Sequence, residues 1–327
     1  MKKDIKVRSL NLLSGGLDSI LSVKVLMEQG IEVTGITFTS PFFGSANAEK
    51  GAAQLGIKLL VVDITDDHLK LVKNPPHGYG KCMNPCIDCH ALMVQKACEI
   101  ARRDGYDVIA TGEVLGERPM SQNRQSLDVV ARESGGKDVL LRPLSAKLLP
   151  PTRPEEEGLV DREKLFGFEG RSRKPQMALA EKLGIKSYMQ PAGGCLLTDP
   201  AFSDRLRDLF STDKNASVED IKLLKLGRHF RLSNGAKVIV GRNKMENEKL
   251  NENSNIVRIE PDIIPGPTVL LIGSQTTEDI ELAAKICASF SDHNNNDIKI
   301  SVYMGSDPAV GFNVTPVSRG EFEKMRI

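Results

Sequence analysis

Leu12-Leu13-Ser14-Gly15-Gly16-Leu17-Asp18-Ser19 is an apolar run that breaks into Ser-Gly-Gly-x-Asp-Ser and then into helix-like sequence. The order reads as a strand, a phosphate-sized turn and a helix start. Two adjacent glycines let the backbone turn tightly and approach a ligand closely, while Ser14, Ser19 and the exposed N–H groups of the following helix can surround phosphate oxygens. The plain alternative is a helix N-terminus that Ser14 or Asp18 merely caps. Six such residues together at a strand-to-helix switch favour a polyphosphate site. No Gly-Lys-Ser/Thr follows and no lysine lies in the turn, so this is not the Walker pattern.

Outward from the turn, Ile5 to Leu13 reads as the first strand and Asp18 to Glu28 as a helix closed by Gly30. Ile31 to Thr39 alternates around Val33, Ile36 and Phe38 as a second strand. A helix through Ala46 to Leu55 leads to Leu59-Leu60-Val61-Val62, a run suited to a strand covered on both faces. A longer helix, about Ile87 to Arg103, precedes a strand at Asp107 to Ala110. This alternation implies an α/β fold: a doubly wound parallel sheet with helices on both faces. Ligands of such sheets sit beyond the carboxyl ends of the strands. Ser14, Gly15, Gly16, Leu17, Asp18 and Ser19, the end of the Phe38 strand and Gly112 in Ala110-Thr111-Gly112 therefore meet at one crevice.

Between Pro150 and Gly170 the chain is charged and proline-bearing and reads as a linker or flexible loop. Pro175 suits the first turn of a Gln176 to Leu183 helix. From about residue 201 the character changes. Phe202 to Phe210 and Val218 to Leu226 read as helices, and His229 to Val240 as a hairpin about Ser233-Asn234-Gly235. A β-α-β unit, Thr268 to Ile272, Thr277 to Ser289 and Ile298 to Tyr303, ends the chain. Two domains are expected, 1–200 and a smaller α+β domain, 201–327.

The 327 residues suit about two domains. Forty per cent hydrophobic residues are ample for a core, and 44 basic residues nearly cancel 43 acidic ones. Any RNA-binding surface must then be local. No stretch approaches 18 uninterrupted apolar residues, so a soluble, cytoplasmic protein without a membrane partner is expected. Six cysteines in that compartment point to metal ligands, catalysts or core residues rather than disulfides.

Cys86 and Cys89 form Cys-x-x-Cys at a loop-to-helix boundary, and Cys195 sits on the glycine turn Pro191-Ala192-Gly193-Gly194-Cys195. Three thiolates are the usual minimum for an iron–sulfur cluster and leave one iron open to an external group. Zinc is the less favoured alternative, since it takes four ligands or three plus water. Cys82 is a fourth ligand or a sulfur relay in this reading, whereas Cys98 and Cys287 lie on apolar helix faces as buried, inert thiols. A dithiol pair of the thioredoxin kind would sit at the start of the first βα unit, which the phosphate turn occupies.

Ser14 to Ser19 resembles the signature of the PP-loop ATP pyrophosphatases, adenine nucleotide α-hydrolase-like enzymes that adenylate a substrate and release pyrophosphate. Asn84-Pro85-Cys86-Ile87-Asp88-Cys89-His90, Tyr106 to Gly112 and Gly193-Gly194-Cys195 resemble, in order, the motifs of the tRNA 2-thiouridylases. In the persulfide-type members the position of Cys86 is aspartate, and those of Cys89 and Cys195 are the catalytic pair. Cys86 in place of that aspartate is similar to the iron–sulfur-dependent tRNA thiolases, whose three cysteines hold a 4Fe-4S cluster. Gly241-Arg242-Asn243-Lys244-x-x-Asn247 after the hairpin resembles the small RNA-binding domain of bacterial ribosome-quality-control factors.

The resemblance implies ATP-dependent thiolation of a tRNA uridine to 2- or 4-thiouridine. Asp18, Cys89 and Cys195 are then the catalytic residues, and Asp18 also helps to hold Mg2+. Cys86, Cys89 and Cys195 are the cluster ligands, or Cys89 or Cys195 carries a persulfide. The partners implied are tRNA and a sulfur donor, free sulfide or a persulfide carrier, with a homodimer as one open arrangement. Arg171, Arg173, Lys174, Arg228, Arg231, Arg242 and Lys244 are candidate RNA contacts, with a solvated basic face as the alternative. Two competing functions remain, a cluster-dependent thiouracil desulfidase and an RNA-binding module with a structural metal site. The intact turn speaks against the first, which needs no ATP.

Overall fold

Apolar runs bounded by turn residues form the strands of the first unit, with amphipathic or wholly buried helices between them. The order is β1 (Arg8–Leu12), α1 (Leu17–Met27), β2 (Glu32–Thr39), α2 (Ala46–Leu55), β3 (Leu59–Asp63), α3 (Thr65–Lys73), α4 (Cys86–Asp104), β4 (Val108–Ala110), α5 (Arg124–Glu133), β5 (Leu140–Leu141), α6 (Arg153–Glu156) and α7 (Lys174–Lys182). This computed structural model describes residues 6–189, 194–253, 255–293, 296–305 and 309–327. The chain divides into two compact units, Met1–Thr198 and Asp199–Ile327.

Among the described residues the first unit has five strands, all parallel, in the order β3-β2-β1-β4-β5. Period-two alternation sends neighbouring side chains to opposite faces. Leu10, Ile36 and Ile109 pack with Val94, Ala97 and Val130 of α4 and α5. Leu13, Val33 and Ala110 pack with Leu17, Ile20 and Leu21 of α1 and with Leu179 and Ala180 of α7. Each fully buried leucine or isoleucine stabilises by about 1.5–3 kcal/mol. That covering of both faces makes the sheet doubly wound.

Three expectations change. Leu59 to Val62 is covered only in part: β3 is an edge strand, Leu59 packs against one core and Leu60 and Val62 against the other, but Val61 is 49% exposed. Its apolar run reflects β-propensity as much as burial. The charged stretch after Pro150 is not a linker, because Val160 and Leu165 are buried in the core beside α1 and Ser145 Oγ donates to the Phe168 carbonyl. Phe38, expected at the nucleotide crevice, is only 4% exposed and packs in the core on the α4 and α5 face.

The second unit contains α8 (Pro200–Thr212), α9 (Val218–Leu223), β6 (Arg228–Arg231), β7 (Lys237–Val240), α10 (Lys244–Asn251), β8 (Val257–Pro261), β9 (Val269–Ile272), α11 (Thr277–Phe290), β10 (Ile298–Tyr303) and β11 (Val310–Val314). The strands form an antiparallel sheet, β11-β10-β8-β9-β7-β6. β6 and β7 are the hairpin expected about Ser233-Asn234-Gly235. The terminal β-α-β unit is split, because β8 lies between β9 and β10. α11 covers one face through Ala283, Ala284 and Ile286, and Leu250 of α10 meets Ile239 and Leu270 on the other.

Candidate active site

Strand order reverses between β1 and β4, and the loops leaving their carboxyl ends define a crevice. The Ser14 turn is held open by its own bonds. The Ser14 N–H donates to Ser19 Oγ (3.3 Å), Ser19 Oγ donates to the Gly16 carbonyl (2.8 Å), and the Gly16 N–H donates to Ser14 Oγ (3.4 Å). Gly15 has φ of +81°, and a Cβ there would stand 2.2 Å from the Asn47 carbonyl oxygen. Gly112 is needed for a different reason. A Cβ on it would stand 2.5 Å from the Asp18 carbonyl carbon and the Ser19 nitrogen, so the β4 end lies directly against the turn. α1 then starts at Gly16 with no side-chain cap, leaving the positive end of its dipole to another anion. Leu17 is fully buried in the core, so only its backbone can serve the crevice.

Asp18 is mostly buried, and burial raises its pKa against the lowering influence of Arg173 and Arg118. Its Oδ2 accepts from Arg173 Nη2 at 3.4 Å, while Oδ1 is buried with no hydrogen-bond partner. An orphaned carboxylate oxygen beside a phosphate-sized turn fits a divalent cation that enters with a nucleotide.

Cys86 opens α4 and Cys89 follows within its first turn. The third cysteine arrives along a traceable path. The Met189 N–H donates to the Gly15 carbonyl at 3.3 Å, and the Leu196 N–H donates to the Phe42 carbonyl at 3.1 Å. Pro191-Ala192-Gly193 of the expected glycine turn lies outside the described residues, but Gly194 and Cys195 are described. Burial, then Cys195 and Cys86, push the Cys89 thiol well above its usual range, and burial also takes Cys195 up to about 11 with Cys86 contributing. The three sulfurs thus lie within electrostatic reach of one another.

Among the described residues, the His, Cys, Asp and Glu ligand atoms that come within 4.8 Å of each other as a set of three are those of His77, Asp88 and Glu133, not the cysteines. Thiolates around one zinc at about 2.3 Å would lie closer together than that. One buried and two half-buried thiols more widely spaced than that are a donor set compatible with a larger centre such as an iron–sulfur cluster.

Several supporting residues were given no role by the sequence, although Asn84, Asp88 and His90 lie within the quoted cysteine motif. His68, on α3, places Nε2 3.0 Å from Cys89 Sγ; burial lowers its pKa to about 4, so it is neutral. Its ring packs against Phe42 and Phe43. Asn84 Nδ2 donates to Cys86 Sγ at 3.1 Å. Asp88, buried between the two cysteines in sequence, accepts from His77 Nδ1 at 2.6 Å and so ties the loop before α4 to the helix. Glu113 accepts from Arg142 Nε (2.9 Å) and from Thr111 Oγ1 (3.0 Å), and pairs with His90 Nδ1 (2.7 Å). Burial works to raise the Glu113 pKa, but Arg142 and His90 outweigh it and hold the carboxylate well below its usual range. Asn84 and Cys86, like Thr111 and Glu113, are two residues apart, whereas His68–Cys89, His77–Asp88, His90–Glu113 and Glu113–Arg142 join separate segments that spacing in the sequence does not connect. Cys98 is buried between α4 and α5, and Cys287 in the core of the second unit, as expected. Cys82 is half-buried in the loop before α4, where its N–H donates to Asn84 Oδ1.

The candidate RNA contacts divide. Arg173 is engaged by Asp18 and Glu117, Arg231 by Asp208 through two nitrogens, and Arg242 by Glu246. Arg228 lies over the Phe290 ring, whereas Arg171, Lys174 and Lys244 are exposed.

Comparison with known proteins divides the chain in the same way. Residues 5–147 match the family described as thiamine biosynthesis protein (ThiI), and residues 227–326 match the NFACT protein RNA binding domain. The chain is 26% identical over 234 residues to the tRNA-specific 2-thiouridylase MnmA of Syntrophotalea carbinolica, covering 66% of this chain and 63% of that protein. It is 35% identical over 127 residues to a probable tRNA sulfurtransferase of Thermoanaerobacter pseudethanolicus, covering 36% of this chain and 32% of that one. A solved 4-thiouridine synthetase–RNA complex with bound ATP shares 22% identity, covering 67% of this chain and 52% of that one, with a TM-score of 0.41. The chain spans less than two thirds of the length of the curated relatives it matches. Residues 5–147 thus resemble the ThiI family, residues 227–326 resemble the RNA-binding domain of NFACT proteins, and the chain is similar in part to tRNA-thiolating enzymes.

Proposed function

We propose that this chain is an ATP-dependent tRNA sulfurtransferase, which adenylates a uridine carbonyl oxygen and replaces that oxygen with sulfur to make 2- or 4-thiouridine. One observation carries the reading. The segment that binds Gly15 through Met189 is the one that brings Cys195, six residues on, toward Cys86 and Cys89. Six residues reach at most about 20 Å, which supports one crevice for the phosphate turn and the thiols. The similarity of the chain to tRNA-thiolating enzymes and of residues 227–326 to an RNA-binding domain supports tRNA as the substrate.

A uracil carbonyl oxygen is a poor leaving group. Its attack on the α-phosphate of ATP expels pyrophosphate and makes an AMP ester, which sulfide then displaces at carbon with AMP as the leaving group. The Ser14 to Ser19 backbone and the uncapped α1 terminus would hold the phosphates, and Asp18 Oδ1 would hold Mg2+. Catalysis is then chiefly positioning and charge stabilisation. Cys86, Cys89 and Cys195 would ligate a 4Fe-4S cluster, which when bound supplies an open iron valence as the place for sulfide. His68 and Asn84 would orient the sulfurs of Cys89 and Cys86. Bringing the base out of its stack costs a few kcal/mol, which contacts to the tRNA must offset.

The deciding assay is tRNA-dependent release of AMP and pyrophosphate from ATP by anaerobic, cluster-loaded protein, with thiouridine identified by mass spectrometry of the tRNA nucleosides. Stoichiometric AMP and thiouridine are expected. Complete absence of tRNA-dependent ATP cleavage would sink the proposal.

A further inference from the structure

Arg173 stands at the N-terminal boundary of α7, where it is shared by two carboxylates. Its Nη2 lies 3.4 Å from Asp18 Oδ2, and its Nε lies 3.7 Å from Glu117 Oε1, too long for a hydrogen bond. That Nε is buried without a hydrogen-bond partner, as is Asp18 Oδ1. Gln176, one turn along α7 and fully buried, donates from Nε2 to Glu117 Oε2 at 3.3 Å and leaves its own Oε1 unpartnered. A guanidinium ordinarily grips a carboxylate through two parallel short bonds. Arg231 and Asp208 of the second unit do so, at 3.0 and 2.5 Å. Arg173 is instead divided between Asp18 and Glu117, with donors in hand and acceptors unfilled on both sides.

We infer that Arg173 is an exchangeable counter-ion of the nucleotide site: it neutralises Asp18 in the free protein and transfers to the phosphates when a nucleotide enters with its cation. This rests on the ATP reading proposed above and adds a role for a residue outside the glycine turn. Buried charge needs a partner in each state. A dication at Asp18 repels a guanidinium a few ångströms away, and a triphosphate on the Ser14 turn supplies the replacement anions. Long, singly made contacts lose little when broken, and the unsatisfied donors of Arg173 fit an oxyanion. Glu117 and Gln176 then mark the position Arg173 leaves.

The test is a double-mutant cycle on binding, with ATP affinity measured by titration calorimetry with Mg2+ and with EDTA. In wild-type protein Asp18 competes with phosphate for Arg173. Asp18→Asn removes that competitor, so metal-free ATP should bind about tenfold more tightly, a coupling of the size found for neighbouring groups. The enhancement by Mg2+ should disappear in the same variant. In an Arg173→Ala background the Asp18→Asn gain should vanish, because the residue it releases is gone. An equal gain in both backgrounds would mean only that a negative charge was removed near the phosphates, and would overturn the inference while leaving the ATP reading intact. Wild-type protein that binds ATP under neither condition overturns both. Circular dichroism of each variant separates these results from misfolding.

Discussion

His68 places its Nε2 3.0 Å from the Sγ of Cys89, with both side chains buried and the His68 Nδ1 left without a partner. Burial favours the neutral ring, lowering its pKa from 6.5 to about 4. The unfolded chain therefore binds a proton that the folded chain refuses between those values. The resulting stabilisation is present above pH 6.5 and is lost as pH falls toward 4. Urea unfolding from pH 7 to pH 4.5 should show wild-type protein losing on the order of 2 kcal/mol more than His68→Gln. Parallel pH profiles would refute this assignment.

Gly15 and Gly16 should respond differently to a methyl group. Gly15→Ala forces a side chain into positive φ and onto the Asn47 carbonyl, so it should destabilise by about 1–3 kcal/mol or more. Gly16 is extended, and the nearest atom to its added Cβ is Ser14 Oγ at 3.5 Å. Gly16→Ala should leave stability within about 0.5 kcal/mol and act on ATP affinity instead. Thermal melts and ATP titration of the two variants read the contrast.

Glu113 and Arg142 form a buried pair with 6% and 7% side-chain exposure. Replacing one partner strands the other charge, so Glu113→Gln and Arg142→Met should each destabilise by about 3–5 kcal/mol. The double variant should cost less than the sum of the two. Denaturation free energies additive within error would show the pair to be uncoupled. Because the folded-state pKa of Glu113 is depressed, its contribution is present above the unfolded carboxylate pKa and disappears as pH falls below it.

Cys195→Ser should lose the iron that anaerobically purified protein is expected to carry, about four atoms per chain for a 4Fe-4S centre. Cys98→Ser alters a thiol buried between α4 and α5 and should keep wild-type iron content. Iron and sulfide analysis decides it, and equal iron in both variants would remove Cys195 from the ligand set.

Local order in the chain was enough to read most of the first unit. β1, α1, β2, α2 and α4 fall within a few residues of their expected spans, because strand runs, glycine stops and the Cys86 helix start are short-range signals. The region between Glu113 and Pro150 was illegible for the same reason. β5 has only two residues, too few to show a period, and α5 begins after a loop whose turns the sequence does not mark. Val160 and Leu165 were hidden among charges, yet they fill core space beside α1.

The sequence alone determined the turn from Ser14 to Ser19, the Cys-x-x-Cys start of α4 and the alternation that makes a parallel sheet, since each depends on residues adjacent in the chain. Tertiary structure alone decided who their partners are. It set His68 against Cys89, Arg173 against Asp18 and Gly112 against the backbone of Asp18 and Ser19. Such pairings depend on where distant segments leave the sheet, and the cost of burying a polar atom without a partner selects them only once the sheet is assembled.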